Sequence, residues 1–205
     1  MSQSDTFLNG EGDAWYHRNK EKLGKRDPVG DLLGLLPLIR PKRVLEVGCS
    51  NGWRLRKMRD KYGCRVSGID TSQDAVAVAI TSGLDDVCWG KFGYSEPWLG
   101  GTFDMIIFGF CLYVTEPREW FRIVAEADRL LADGGWLVIH DFNTLQPAYA
   151  VPYSPKEGLL AYHLDFSELW TAHPWYHVQD RSRLYVEDEC ITILQKRTNA
   201  IPVRT

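Results

Sequence analysis

The chain has 205 residues, with 24 Lys and Arg against 27 Asp and Glu and a formal net charge of −3. That balance excludes a global basic field that draws in nucleic acid or an anionic membrane, and it favours a small-molecule partner. The length cores one domain well and two poorly. Five cysteines, odd in number and without a C-x-x-C pair, argue against a disulfide framework or a zinc site and for a reducing, cytoplasmic setting. No apolar run approaches membrane-spanning length and the first 25 residues lack a signal-peptide pattern, so a soluble, unexported protein is expected.

Met1 to Asp5 reads as a mobile polar arm. Phe7 to Asn19 is unusually aromatic for a segment ahead of a first strand, and two readings stay open. It is a helix packing Trp15 and Tyr16 on the domain, or a lid that closes a pocket with His17 or Arg18 facing inward. Asp27–Pro28 starts a helix with Leu32, Leu33, Leu35 and Leu36 on its buried face, ended by Pro37 and Pro41. Residues 1–26 thus form an arm ahead of a domain over 27–197, with 198–205 as a tail.

Val44–Leu45–Glu46–Val47–Gly48–Cys49–Ser50–Asn51–Gly52 is a short apolar strand running into a glycine-bearing turn, and Leu55, Met58 and Tyr62 then recur at helical spacing. Gly48 and Gly52 let the backbone approach a ligand closely, with the amides of the next helix facing the same cleft. Arg65 to Asp70 reads as a second strand ending in a carboxylate suited to both hydroxyls of a ribose. A dehydrogenase fingerprint needs G-x-G-x-x-G, which this turn lacks. Glu46 at the strand end suits a ligand with an ammonium group better than a pyrophosphate.

Thr71 to Asp74 caps a helix whose stripe is Ala75, Val76, Ala79 and Ile80, stopping at Gly83. Val87 to Trp89 is a third strand and Phe103 to Phe108 a fourth, fully buried one. Pro117 opens a helix carrying Trp120, Phe121, Val124, Ala127, Leu130 and Leu131, which Gly134–Gly135 ends before a fifth strand, Trp136 to His140. Residues 141–174 form an insertion over the sheet edge, and Trp175 to Tyr185 and Cys190 to Gln195 form a hairpin around the acidic turn 186–189. The expected fold is α/β, a doubly wound and mostly parallel seven-stranded sheet with a C-terminal antiparallel hairpin.

The stretch from Glu46 to Gly52 resembles the acidic-x-Gly-x-Gly-x-Gly motif of the class I S-adenosylmethionine-dependent methyltransferases, with Ser50 in place of the middle glycine. Phe103 to Phe108 and Leu130 to Ile139 resemble that family's fourth strand and its double-glycine approach to strand five. The resemblance covers roughly residues 27–197. It implies S-adenosyl-L-methionine as cofactor, held at its methionine part by Glu46, Gly48, Cys49, Ser50 and Gly52 and at the ribose by Asp70, with Thr71 and Gly109 alongside. Phe92 is the candidate stacking partner for adenine, since Gly90, Lys91 and Phe92 stand where relatives often carry an acidic residue.

Methyl transfer is mostly alignment of donor and acceptor, with a base for a protonated acceptor drawn from the ends of strands four and five. The candidates are Tyr113, His140 and Asp141. Each has a plainer alternative: Tyr113 as pocket wall, His140 as a hydrogen-bonded strand end, Asp141 as a turn cap. Metal dependence is not expected: Asp141 and Asn143 supply half of a catechol-type magnesium site, but Gly109 leaves the strand-four position empty. The Asn/Asp-Pro-Pro-aromatic sequence of nucleic-acid amino-methyltransferases is missing at Gly109 to Leu112. Gly10 to Asn19 resembles the start of small bacterial methyltransferases found with surface-sugar biosynthesis, which implies a sugar or sugar-nucleotide acceptor. Two readings from other classes are a non-catalytic cofactor-binding scaffold and a nicotinamide oxidoreductase.

Overall fold

The computed structural model describes residues 2–36, 38–94, 102–184 and 188–198. Seven strands form one sheet in the order β3-β2-β1-β4-β5-β9-β8, and β6 pairs with β7 apart from it. The strands are β1 Arg43–Val47, β2 Arg65–Asp70, β3 Val87–Trp89, β4 Phe103–Gly109, β5 Leu131–Phe142, β6 Tyr149–Pro152, β7 Leu160–His163, β8 Tyr176–Arg183 and β9 Glu189–Lys196. Neighbouring pairs from β3 to β5 are parallel, while β9 runs antiparallel to both β5 and β8. This is the expected α/β sheet with its C-terminal hairpin. Because β1 is followed by β2 on one side and β4 is added on the other, the strand order reverses at β1/β4. A crevice opens there at the carboxyl ends.

The helices are α1 Gln3–Thr6, α2 Gly12–Asn19, α3 Pro28–Leu35, α4 Trp53–Tyr62, α5 Gln73–Thr81, α6 Pro117–Leu130 and α7 Glu168–Thr171. Asp27 and Ser72 cap α3 and α5, accepting from the amides of Gly30 and Ala75. Two apolar clusters cover the sheet faces. One is centred on Phe103, Ile106, Phe108, Leu137 and Trp170, the other on Val29, Leu33, Leu55, Met58, Met105 and Ile107. The parallel strands are buried on both faces, which is why β4 reads as a continuous apolar run.

Several helical faces differ from the sequence reading. Leu35 is 77% exposed and Phe121 79%, and Ile80 is half exposed; Val29 and Ile123 fill the buried positions on α3 and α6 instead. Helix α6 stops at Leu130, and Leu131 already pairs with Phe103. Gly134–Gly135 therefore lies inside β5, past an irregularity in that pairing, and does not end the helix. The insertion carries its own structure: the β6–β7 hairpin and α7, whose Trp170 is fully buried. Pro37, residues 185–187 at the start of the acidic turn and the tail beyond Thr198 fall outside the described residues.

The arm is docked rather than loose. Ser2 caps α1 through a capping box with Asp5. The Gln3 amide donates to the carbonyls of Val114 and Leu160 at 2.7 and 2.6 Å and accepts from Leu160 N–H at 2.9 Å. Ser4 Oγ donates to Glu119 at 2.5 Å, and Lys91 pairs with Asp5. Farther along, Asp13 accepts from Ser72 Oγ and from the Asp74 amide. The helical path is broken at Asn9 and at Gly10, whose φ of 125° is open to glycine and closed to most other residues. Gln3→Ala removes three buried or half-buried hydrogen bonds at once. Roughly 1–3 kcal/mol of stability should be lost, with amide exchange accelerated selectively over residues 2–19. Unchanged exchange in that segment would show that Gln3 does not hold the arm.

Candidate active site

The crevice at the reversal of strand order holds about 930 Å³ of empty space, part of it open to solvent. Its floor is Val47, Gly48 and Ser50 after β1, Ile69, Asp70 and Thr71 after β2, Lys91 and Phe92 after β3, and Gly109 to Tyr113 after β4; Ser4, Phe7, Gly12 and Trp15 of the arm form its roof. The turn after β1 is left-handed at Gly48, Ser50 and Gly52, with φ of 74°, 50° and 69°. A Cβ on Gly48 would lie 2.8 Å from Cys111 Cβ, so the bare backbone is what keeps β1 and β4 close here. The roof is as tight: a Cβ on Gly12 would lie 2.8 Å from the Thr71 carbonyl.

Asp70 braces this floor. Its two oxygens accept from the amides of Ser50 at 2.7 Å and Ser72 at 2.8 Å. Burial pushes its carboxyl up from the ordinary value, and those backbone bonds oppose the shift. Phe92 lies in the wall, packed edge to face on Phe108 with ring centroids 5.8 Å apart.

Glu46 sits elsewhere. It is 1% exposed and lies behind the cavity, ion-paired with Arg54, whose Nε also bonds Asp27 at 3.3 Å. Its Oε2 has no hydrogen-bond partner among the described residues. Burial raises its pKa against the pull of Arg54. An internal guanidinium thus sits beside the carboxylate that the sequence reading assigned to a ligand's ammonium. Cys49 and Gly52 also lie outside the cavity lining. They shape the turn, Cys49 packing on Gly68 and Gly52 on Leu84.

The three candidate bases separate. Tyr113 lines the cavity, and burial holds its phenol well above the usual value. Asp141 is fully buried and does not line the cavity; it accepts from the Leu112 amide at 2.8 Å and from that of Phe142 at 2.9 Å, bracing the turn over 112–114. His140 faces a second cavity of about 570 Å³ with Glu189, Arg26, Arg54, Trp15 and Trp53. Residues that the sequence reading did not place in a site include Ser4, Phe7, Tyr94, Glu119, Arg54 and Glu189. The aromatic richness of the arm was their one visible signal. Of its two inward candidates, Arg18 pairs with buried Glu11 and bonds Tyr153, whereas His17 pairs with exposed Asp74 outside. No cluster of metal-binding side chains occurs among the described residues.

Residues 16–190 match the family model of the methyltransferase domain. The chain belongs to that family. The methyltransferase-domain chain is 26% identical over 153 residues to a tRNA N(3)-methylcytidine methyltransferase of Schizosaccharomyces pombe, covering 65% of this chain and 49% of that protein. It is 28% identical over 109 residues to norajmaline N-methyltransferase of Rauvolfia serpentina, covering 50% and 37%. It spans about half or less of the length of these curated relatives. Among solved structures, a Burkholderia thailandensis 1,6-didemethyltoxoflavin-N1-methyltransferase with bound S-adenosylhomocysteine superposes with a TM-score of 0.75 at 16% identity, over 94% of this chain and 88% of that one. An amino pentose methyltransferase from Micromonospora echinaspora superposes with a TM-score of 0.65 at 18% identity, over 88% and 96%. The fold is therefore that of the class I S-adenosylmethionine-dependent methyltransferases.

Arg54→Met strands the Glu46 carboxylate without its counter-charge and should cost roughly 3–5 kcal/mol. Adding Glu46→Gln should return much of that loss in denaturant unfolding. Equal stability of the single and double variants would mean that the pair does not bear on the fold.

Proposed function

We propose that this methyltransferase-domain protein transfers a methyl group from S-adenosylmethionine to an oxygen or nitrogen of a small-molecule acceptor. One observation carries the reading. Asp70 stands at the tip of β2, braced by backbone amides, at the floor of the crevice. That is a carboxylate preset to accept hydroxyl hydrogen bonds from a nucleoside. The residues fit the cofactor: the turn at Gly48 lines the crevice with bare backbone, Asp70 would accept from the ribose hydroxyls, and Phe92 would offer an apolar face to adenine.

When bound, the cofactor supplies a methyl group on a sulfonium centre, and the chain's residues do the rest by placement. The turn from Gly48 to Gly52 fixes the depth of the ligand, and the arm excludes water from above through Phe7, Gly12 and Trp15. A roofed crevice of this size favours a small acceptor over a polynucleotide, although one relative methylates tRNA. A sugar or sugar nucleotide, implied by the Gly10–Asn19 resemblance, is one member of the small-molecule class.

Calorimetric titration tests this reading. S-adenosylmethionine and S-adenosylhomocysteine should bind, NAD should not, and Asp70→Ala should weaken binding about tenfold or more, equal to 1.4 kcal/mol or more. Undiminished affinity in Asp70→Ala, or binding of NAD alone, would overturn it.

A further inference from the structure

The second cavity lies apart from the Asp70 crevice and is built of chemically specific groups. Trp15, Trp53 and Pro28 give it apolar walls, Lys22, Arg26 and Arg54 give it cations, and His140 with Glu189 closes its inner end. His140 is 7% exposed. Its Nε2 lies 2.6 Å from Glu189 Oε1, and its Nδ1 is buried without a hydrogen-bond partner among the described residues. Glu189 is held below its usual pKa, chiefly by this hydrogen bond, and is therefore a carboxylate that only accepts. Nε2 must donate to it, which leaves Nδ1 as a bare lone pair. Burial also keeps the imidazole neutral by lowering its pKa; the Glu189 carboxylate opposes that shift, and Arg54 and Arg26 reinforce it.

The partition between the two cavities is one side chain thick. Trp15 lines both. Phe110, in the wall of the first, stands edge-on to His140 with centroids 5.3 Å apart. Arg54, in the wall of the second, reaches to within 3.0 Å of where a Cβ on Gly109 would lie. Phe110 holds a left-handed φ of 62°, a conformation that costs a bulky residue free energy and is kept where a site requires it.

Basic side chains gather at the mouth of this cavity. Lys20, Lys22, Lys25 and Arg26 are exposed on the segment that borders the cavity, and Lys57 of α4 joins them by bonding the Gly24 carbonyl at 3.3 Å. Such a field concentrates anions at the mouth.

We propose that this second cavity is the acceptor site, that it takes a ring-bearing small molecule carrying an oxyanion such as carboxylate or phosphate, and that His140 Nδ1 is the general base. The proposal rests on the methyltransferase reading above. The ring packs against the indoles, the oxyanion meets Lys22 and Arg26 at the rim, and the reacting hydroxyl or amine points inward to His140. The acceptor's lone pair forms the new bond to the methyl carbon as the S–CH3 bond breaks, and that bond's electron pair stays on sulfur as a neutral thioether. The acceptor's proton passes to Nδ1, where Glu189 stabilises the imidazolium, and then to solvent. Trp15 and Phe110 must part for the two sites to join and for an acceptor to reach the buried Nδ1, against whose ring Phe110 packs, and Trp15 is carried by the arm that breaks at Asn9 and Gly10.

The test uses full-length protein saturated with S-adenosylhomocysteine, and 4-hydroxybenzoate and inorganic pyrophosphate as probes. The expected result is saturable binding of at least one probe, weakened about tenfold in the Lys22→Ala/Arg26→Ala double variant, with S-adenosylhomocysteine affinity unchanged. Binding of a probe should also shift the imidazole resonance that His140→Asn deletes, and Glu189→Gln should abolish that shift. No saturable binding of either probe, equal binding in the double variant, or an unmoved His140 resonance would overturn the proposal. Failure of S-adenosylhomocysteine to bind would instead sink the methyltransferase reading itself.

Discussion

The buried Arg54 guanidinium is the constraint on which the layout of the site depends. Placed on the first turn of α4, it is drawn between Glu46 at the end of β1 and Asp27 at the start of α3, so one side chain ties three elements together. Removing ions from water is costly, and a pair this deep persists when its members satisfy each other. Its geometry then dictates what lies around it. Residue 109 has to be glycine, because a Cβ there would stand 2.8 Å from Glu46 Oε1 and 3.0 Å from Arg54 Nη1. With no side chain at 109, the backbone of β4 passes close behind the cofactor crevice, and the first ring after it, Phe110, becomes the partition.

Much of the fold was legible because its strands are buried on both faces and its helices are capped. A run such as Phe103 to Phe108 has one physical solution in an α/β chain, and Ser72 and Asp27 are cap residues that do in the structure what their chemistry favours. Less was legible at element ends. Gly134–Gly135 carries the composition of a helix stop, yet pairing of Leu131 with Phe103 claims the backbone three residues earlier. Leu35 and Phe121 have the right hydrophobicity and the wrong phase, since a helix rotates 100° per residue and a broad apolar composition does not fix which residues face inward.

The site shows the same division. Asp70 and the Gly48 turn were readable because a β-α-β unit sets the carboxyl ends of β1 and β2 side by side. The partners of Glu46 and His140 were not. Arg54 is eight residues from Glu46 and Glu189 is 49 from His140. Only the packing of α4 on β1, and of β9 antiparallel to β5, sets those pairs face to face. Phe142 opposite Glu189 in the β5–β9 register places the carboxylate beside the strand that carries His140. No motif encodes that register. The hairpin's return does, and its length is set by residues that look like ordinary surface strand.

The arm follows from the same arithmetic of unsatisfied groups. A crevice at a switch point has open strand ends and a bare apolar floor, and this chain covers it with residues drawn from its own start. Gln3 spends both ends of its amide on the backbone of the insertion and the turn after β4, so polar bonds set the register of the roof beside the apolar contacts of Phe7 and Trp15. Such a contact is specific in register but modest in net strength, because each bond replaces one to water. A roof with those properties seals the crevice in one defined position and can still be lifted within the free energy that ligand binding provides. Trp15, on this roof, is shared by the walls of both cavities, so lifting the roof changes both at once.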